Sequence, residues 1–154
     1  MEFEDTSTID ADREVVWELI SDPEVLYSCV PGAEEINKES DTEYTGVISR
    51  GIAGISIELD GELNILTEEP PERLEAEASG SDRITNSRLD AEAELRVNQG
   101  DDGTADLVYS IEMVFSGRLA TLGSRIVKRQ IKSDVDTFFE NLKEQANERS
   151  VSNV

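Results

Sequence analysis

The chain has no histidine, one cysteine (Cys29) and no apolar run near the roughly twenty residues that cross a bilayer. Each absence removes a class of function. Without histidine there is no imidazole base and no cysteine–histidine zinc site. A lone cysteine forms no internal disulfide. The opening MEFEDTSTID is acidic and lacks the charged-then-apolar pattern of a secretory signal, so the expected location is the cytoplasm. Basic residues are scarce too. Fourteen Lys and Arg, only four of them Lys, face 35 Asp and Glu, for a net charge of −21. That balance argues against nucleic acid as a partner. The acids are spread along the whole chain, as on a solvated surface suited to concentrated salt, where a Debye length of about 3 Å screens self-repulsion. A salt-loving microbe is the expected source. No calcium loop of the D-x-[DN]-x-[DN]-G type, no G-x-S-x-G and no phosphate loop occurs; GIAG at 51–54 is too short for the last.

What is present is a change of period along the chain. Glu2 to Ile9 alternates weakly and reads as a strand. Ala11 to Ser21 carries Val15, Val16, Leu19 and Ile20 on one side of a helix, and Glu24 to Cys29 adds a further turn or two before Pro31-Gly32. From Glu43 the period is two. Strands are predicted over 43–52, 55–67, 73–79, 84–97 and 104–115, with turns at Ala53-Gly54, Pro70-Pro71 and NQGDDG (98–103). Gly117 to about Arg149 reads as one long helix, roughly 45 Å at 1.5 Å per residue. The order implies an α+β helix-grip fold. A curved antiparallel sheet of about six to seven strands surrounds a long C-terminal helix, with one or two short helices after strand 1. Residues 1–149 form a single domain and 150–154 a disordered tail.

The inward positions of the predicted sheet hold unusually small side chains: Ala76, Ala78, Ala91 and Ala93, with Gly46 and Gly61. Either the helix presses close, filled by Phe138 and Phe139, or a void remains, and apolar voids bind apolar ligands. The expected lining is Tyr44, Ile48, Ile57, Leu59, Leu63, Ala76, Ala78, Leu89, Ala91, Ala93, Leu107, Tyr109, Ile111 and Met113 from strands. Leu119, Leu122 and Ile126 join it from the helix. Arg50 shares the inward register and must be paired, at the edge or facing a ligand. Two apolar stripes on the helix are out of phase by roughly 100°, which predicts a break near Val127 to Gln130, with Gly117 and Gly123 as flexible points. Arg118, Arg125, Lys128, Arg129 and Lys132 form the one basic stripe. An acidic partner, anionic lipid headgroups or the protein's own acidic strands are its candidate counterparts.

Several of these segments together resemble a known family. The opening MEFEDTSTIDADREVVWELISDPE, CVPGAE at 29–34, Tyr44-Thr45-Gly46, the Pro70-Pro71 turn, GRLATLGSRIV and FFENL at 138–142 resemble the SRPBCC (START/Bet v 1-like) superfamily. Within it they resemble the CoxG family of carbon monoxide dehydrogenase proteins, from Met1 to about Leu142. The resemblance implies a deep apolar cavity and no metal or resident cofactor beyond a bound menaquinone-type lipid. It also implies an accessory role beside a CO dehydrogenase-like molybdenum hydroxylase, with recruitment to the inner face of the membrane. Family members often carry a C-terminal membrane anchor. This chain ends at Val154, so the expected membrane contact is transient. Two alternatives stand beside the carrier: a polyketide cyclase or hydrolase of the same fold, which needs Tyr44, Arg50 and Tyr109 to converge, and an assembly factor with a filled cavity.

Overall fold

The computed structural model describes the backbone of residues 1–152 and the side chains of residues 1–149; the tail expected at 150–154 lies at and beyond that limit. Seven strands and four helices run in the order β1 (Glu2–Ile9), α1 (Arg13–Ile20), α2 (Pro23–Cys29), β2 (Ala33–Lys38), β3 (Glu43–Ile52), β4 (Ile55–Glu69), β5 (Arg73–Asp82), β6 (Ser87–Gln99), β7 (Ala105–Gly117), α3 (Arg118–Thr121) and α4 (Ser124–Ser152). All strand pairs are antiparallel, in the order β1-β7-β6-β5-β4-β3-β2. The chain therefore meanders from β2 to β7, and β1 adds to the far edge.

Local chemistry places the joints. Pro23 opens α2, and the Asp22 carboxylate accepts the Glu24 N–H at 2.9 Å, satisfying one of the donors a helix start leaves free. Ala53 and Gly54 both take positive φ (50° and 83°), the requirement of a two-residue hairpin whose twist matches its strands. In β4 the register shifts between Ile65 and Thr67, which turns Leu66 to solvent while its neighbours keep their faces.

The break in the C-terminal helix lies at Leu122–Gly123, not at Val127 to Gln130 as the stripes suggest. Gly123 has φ 93°, and α3 closes with Leu122 and Gly123 N–H bonds to Leu119 and Ala120 carbonyls. Val127 N–H then bonds Gly123 O, so α4 is unbroken across the expected site. The two flexible points also differ. A Cβ on Gly117 would sit 1.6 Å from Asn86 O, so Gly117 marks a tight backbone crossing rather than a free joint. Nothing lies within 4 Å of a Cβ built on Gly123.

The core divides into two clusters. At one end Ile9, Val16, Leu19, Cys29, Val97, Leu107, Phe139 and Leu142 pack α1, α2 and the later part of α4 onto the sheet. At the other end Ile52, Ile57, Leu119 and Val127 pack α3 and the start of α4 against the β3–β4 hairpin.

Candidate functional site

Between the two clusters the sheet and helices do not meet. They leave between them a hollow of about 430 Å³ with a predominantly apolar wall. Register explains why it is empty. Ala76 lies opposite Ala93, Gly61 opposite Gly80, and Ala78 opposite both Leu63 and Ala91, so the inner face is shallow across β4, β5 and β6. Phe138 and Phe139 reach in from α4, in a T-shaped pair with ring centroids 5.1 Å apart, and Phe139 stacks on Tyr109 at 4.5 Å. They form one wall without filling the space.

Of the residues expected to line it, Tyr44, Ile48, Leu59, Leu63, Ala76, Ala78, Leu89, Ala93, Leu107, Tyr109 and Ile111 do. The others are placed elsewhere, each for a physical reason. Ile57 and Leu119 are buried in the cluster of α3 and the β3–β4 hairpin and Leu122 packs against it, so they close the end of the hollow. Ile126 is 46 % exposed, because the turn at Gly123 presents Val127 to the sheet instead. Ala91 and Met113 share the register of Ala78 but do not line the hollow, whose wall on β6 and β7 is formed by Leu89, Ala93, Leu107, Tyr109 and Ile111 among others. The sequence reading missed Trp17, Ile20, Leu26 and Val30 from α1, α2 and the turn after them, Ile36 from β2, and Ile65, Leu74 and Leu95 from strands. The strand members carry a period-two signal; the helical ones carry only an amphipathic face.

The polar groups near the hollow are engaged separately. Arg50 is paired: its guanidinium donates from Nε (3.0 Å) and Nη2 (2.6 Å) to the two oxygens of Asp134, which also accepts from Gln130. This fork ties β3 to α4. The Tyr44 hydroxyl donates to Ser21 O at 3.1 Å, pinning the end of α1 to the sheet, and Lys38 lies over its ring. Tyr109, its phenol pushed up chiefly by burial, lies toward Lys132, Asp5 and Asp136. The three groups do not converge on one point. Cys29 is fully buried, and burial with the nearby Glu144 pushes its thiol up to about 11, so it stays protonated.

The basic stripe separates into two kinds. Lys132 bonds Asp5 on β1 (3.3 Å) and Asp136 one turn on (2.6 Å), so it serves the protein's own acids. Arg118, Arg125, Lys128 and Arg129 are exposed and make no ion pair among the described residues. A second depression, about 490 Å³, lies on the outer face of the sheet among Glu62, Glu77, Arg88, Asp90 and Glu112. It is a charged concavity lined by strand residues alone, and the apolar hollow is the better site for an apolar ligand.

No curated protein matches the chain. Residues 6–147 match the model of the carbon monoxide dehydrogenase CoxG family. Among solved structures, a conserved protein from Geobacillus kaustophilus superposes with a TM-score of 0.88 at 19 % identity, covering 96 % of each chain. The Zhui aromatase/cyclase from Streptomyces sp. R1128 gives 0.73 at 15 % identity, covering 97 % of this chain and 95 % of its own. Ara h 8.0201 gives 0.63 at 14 %, covering 96 % and 98 %. At these identities the structural likeness establishes the fold alone: a Bet v 1-like helix grip.

Proposed function

Because the chain belongs to the CoxG family, we propose that it is a non-catalytic carrier that holds a quinone or isoprenoid lipid in the hollow, as an accessory to a CO dehydrogenase-like molybdenum hydroxylase. The observation that carries this reading is the apolar-walled space of about 430 Å³ between sheet and helices. It falls within the roughly 300–1,000 Å³ of small-molecule sites. An assembly factor needs no such space, and a cyclase-type enzyme needs polar groups aimed into it. Here the Arg50 guanidinium is committed to Asp134 and the Tyr44 hydroxyl to Ser21 O.

The chemistry asked of the wall is modest. Apolar side chains remove the ligand from water at about 25 cal/mol per Å² of apolar surface. The stacked Tyr109–Phe139 pair offers a flat aromatic face to a planar ring. Titration with a soluble naphthoquinone, followed by quenching of Trp17 in the wall, tests the site; lipid extraction of protein from its native host with mass spectrometry tests the ligand class. The expected result is saturable one-to-one quenching and a copurified prenylated quinone. No quenching and no bound lipid would remove the proposal.

A further inference from the structure

An odd number of steps along β4 separates Ile65 from Glu68, so strict alternation would put them on opposite faces. The bulge at Leu66 takes one residue out of that count. Beyond it Glu68 stands directly opposite Leu74, and Leu74 opposite Leu95. Opposed residues of an antiparallel pair share a face, and Leu74 and Leu95 both line the hollow. Glu68 therefore lies on the inner face, in the wall of the hollow, at the end where Trp17, Ile20 and Leu95 pack on the α1–α2 cluster. It is exposed, which makes this a place where the hollow reaches water. It is also without a partner: Glu68 makes no hydrogen bond and no ion pair among the described residues. Nearby cations serve other acids. Arg13 pairs with Glu14 and Glu72, and Arg73 with Glu69, Glu75 and Glu94 on the outer face. Glu62 and Glu94 also border the hollow, but at outward positions opposite Ser79 and Glu75.

We propose that Glu68 selects the head group of the ligand: the hollow takes an apolar ring or chain that ends in a hydroxyl and refuses one that ends in a carboxylate. A carboxylate only accepts hydrogen bonds. A ligand hydroxyl at the mouth donates to it, whereas an ether or carbonyl oxygen offers it nothing. A second carboxylate is repelled at contact distance, beside an apolar wall that screens poorly. With Arg50 held by Asp134 and the Tyr44 hydroxyl by Ser21 O, Glu68 has no second polar group to work with, so its part is recognition and not catalysis. This inference rests on the carrier reading and narrows it. Of the two redox forms of a quinone, the hydroquinone carries hydroxyl donors and the quinone only carbonyl acceptors, so the reduced form is the better guest.

Calorimetric titration at pH 7 in 1 M NaCl tests it, with naphthol, methoxynaphthalene and naphthoate substituted at the same ring position. At that salt the Debye length is about 3 Å, so the −21 charge of the whole chain does not itself turn the naphthoate away. The wild type is expected to bind naphthol roughly tenfold more tightly than either of the other two. Glu68→Leu is expected to bind naphthol and methoxynaphthalene about equally. Glu68→Gln keeps an acceptor without the charge, and is expected to retain part of the naphthol preference while naphthoate binding recovers roughly fivefold. The side chain is exposed and unbonded, so both variants fold as the wild type does. An unchanged ratio of naphthol to methoxynaphthalene in Glu68→Leu overturns the inference and leaves the carrier reading standing. Binding of none of the three by the wild type overturns both. Selectivity that depends on Glu68, in a protein that copurifies with no prenylated quinone, supports the inference and removes only the lipid class.

Discussion

Ala78 lies beside Leu63 on one neighbouring strand and Ala91 on the other, so the wall of the hollow there is one carbon deep. Ala78→Leu puts three more carbons into that space. At about 0.8 kcal/mol per buried CH₂, stability is expected to hold or rise by about 1–2 kcal/mol, while naphthoquinone quenching falls at least tenfold. A stable variant with undiminished quenching would place the ligand elsewhere. The opposite kind of residue is Asp82, buried at the end of β5, whose carboxylate accepts the Glu58 N–H (3.0 Å) and the Ile84 N–H (2.9 Å). The Glu58 N–H does most to hold its carboxyl below the usual carboxylate range. A group depressed in the folded state stabilises above its unfolded pKa, about 3.9, and loses that contribution as pH falls through the folded value. Asp82→Asn is therefore expected to destabilise near pH 7 and to converge on wild type only as pH falls through the depressed folded value, read by urea midpoints from neutral into acid. A constant difference at all pH values would show that charge is not what the position uses. Strand alternation alone reveals most of the strand lining, because a side chain's face in a sheet follows from its parity. It does not reveal that two polar residues in inward register are satisfied from another element, Asp82 by the Glu58 N–H and Arg50 by the Asp134 carboxylate.

Elements were legible to the extent that they carry period. β3 through β7 are long and alternating, and both their order and their hairpin turns follow from sequence. β2, Ala33–Lys38, was missed because AEEINK offers only Ala33 and Ile36 as apolar points and serves as an edge, where burial demands little. The α3–α4 break was expected from out-of-phase stripes but misplaced by roughly one to two turns. The stripes report a change of direction, whereas its position is fixed by where φ turns positive, at Gly123. The same break sets two element-level expectations apart. Leu142 is fully buried in the cluster where α1, α2 and α4 meet, so Leu142→Ala is expected to cost about 3–5 kcal/mol of global stability. Leu119, 2 % exposed, anchors the short α3 at the other end. Leu119→Ala is expected to cost less, about 2–3 kcal/mol, and to speed naphthoquinone entry and exit severalfold in stopped-flow quenching, because the α3 closure of the hollow and not the fold gives way. Unchanged exchange rates in Leu119→Ala would assign ligand passage to the α1–α2 end.

Across the whole molecule, charge is arranged by face. On the outer side of the sheet one transverse row reads Glu2, Glu112, Glu92, Glu77, Asn64, Glu43, from β1 to β3. Neighbours in this row are separated by the strand spacing, about 4.8 Å, and none of the five glutamates is ion-paired among the described residues. Like charges directly opposed in a sheet cost roughly 0.2–1 kcal/mol per pair in dilute buffer, and salt removes most of that cost. A sheet carrying this row is expected to gain stability as salt rises. Glu92 is the informative position, opposed by Glu77 on one side and Glu112 on the other. Glu92→Lys converts two repulsions into two attractions without touching the core. It is expected to raise stability by about 1–2 kcal/mol at 0.1 M NaCl, while adding nothing at 2 M, where the wild type has already been relieved. Urea midpoints of the two proteins plotted against salt should therefore converge as salt rises. Parallel curves would mean that the row is not where the molecule feels its own charge, and that its salt response comes from the acids at large.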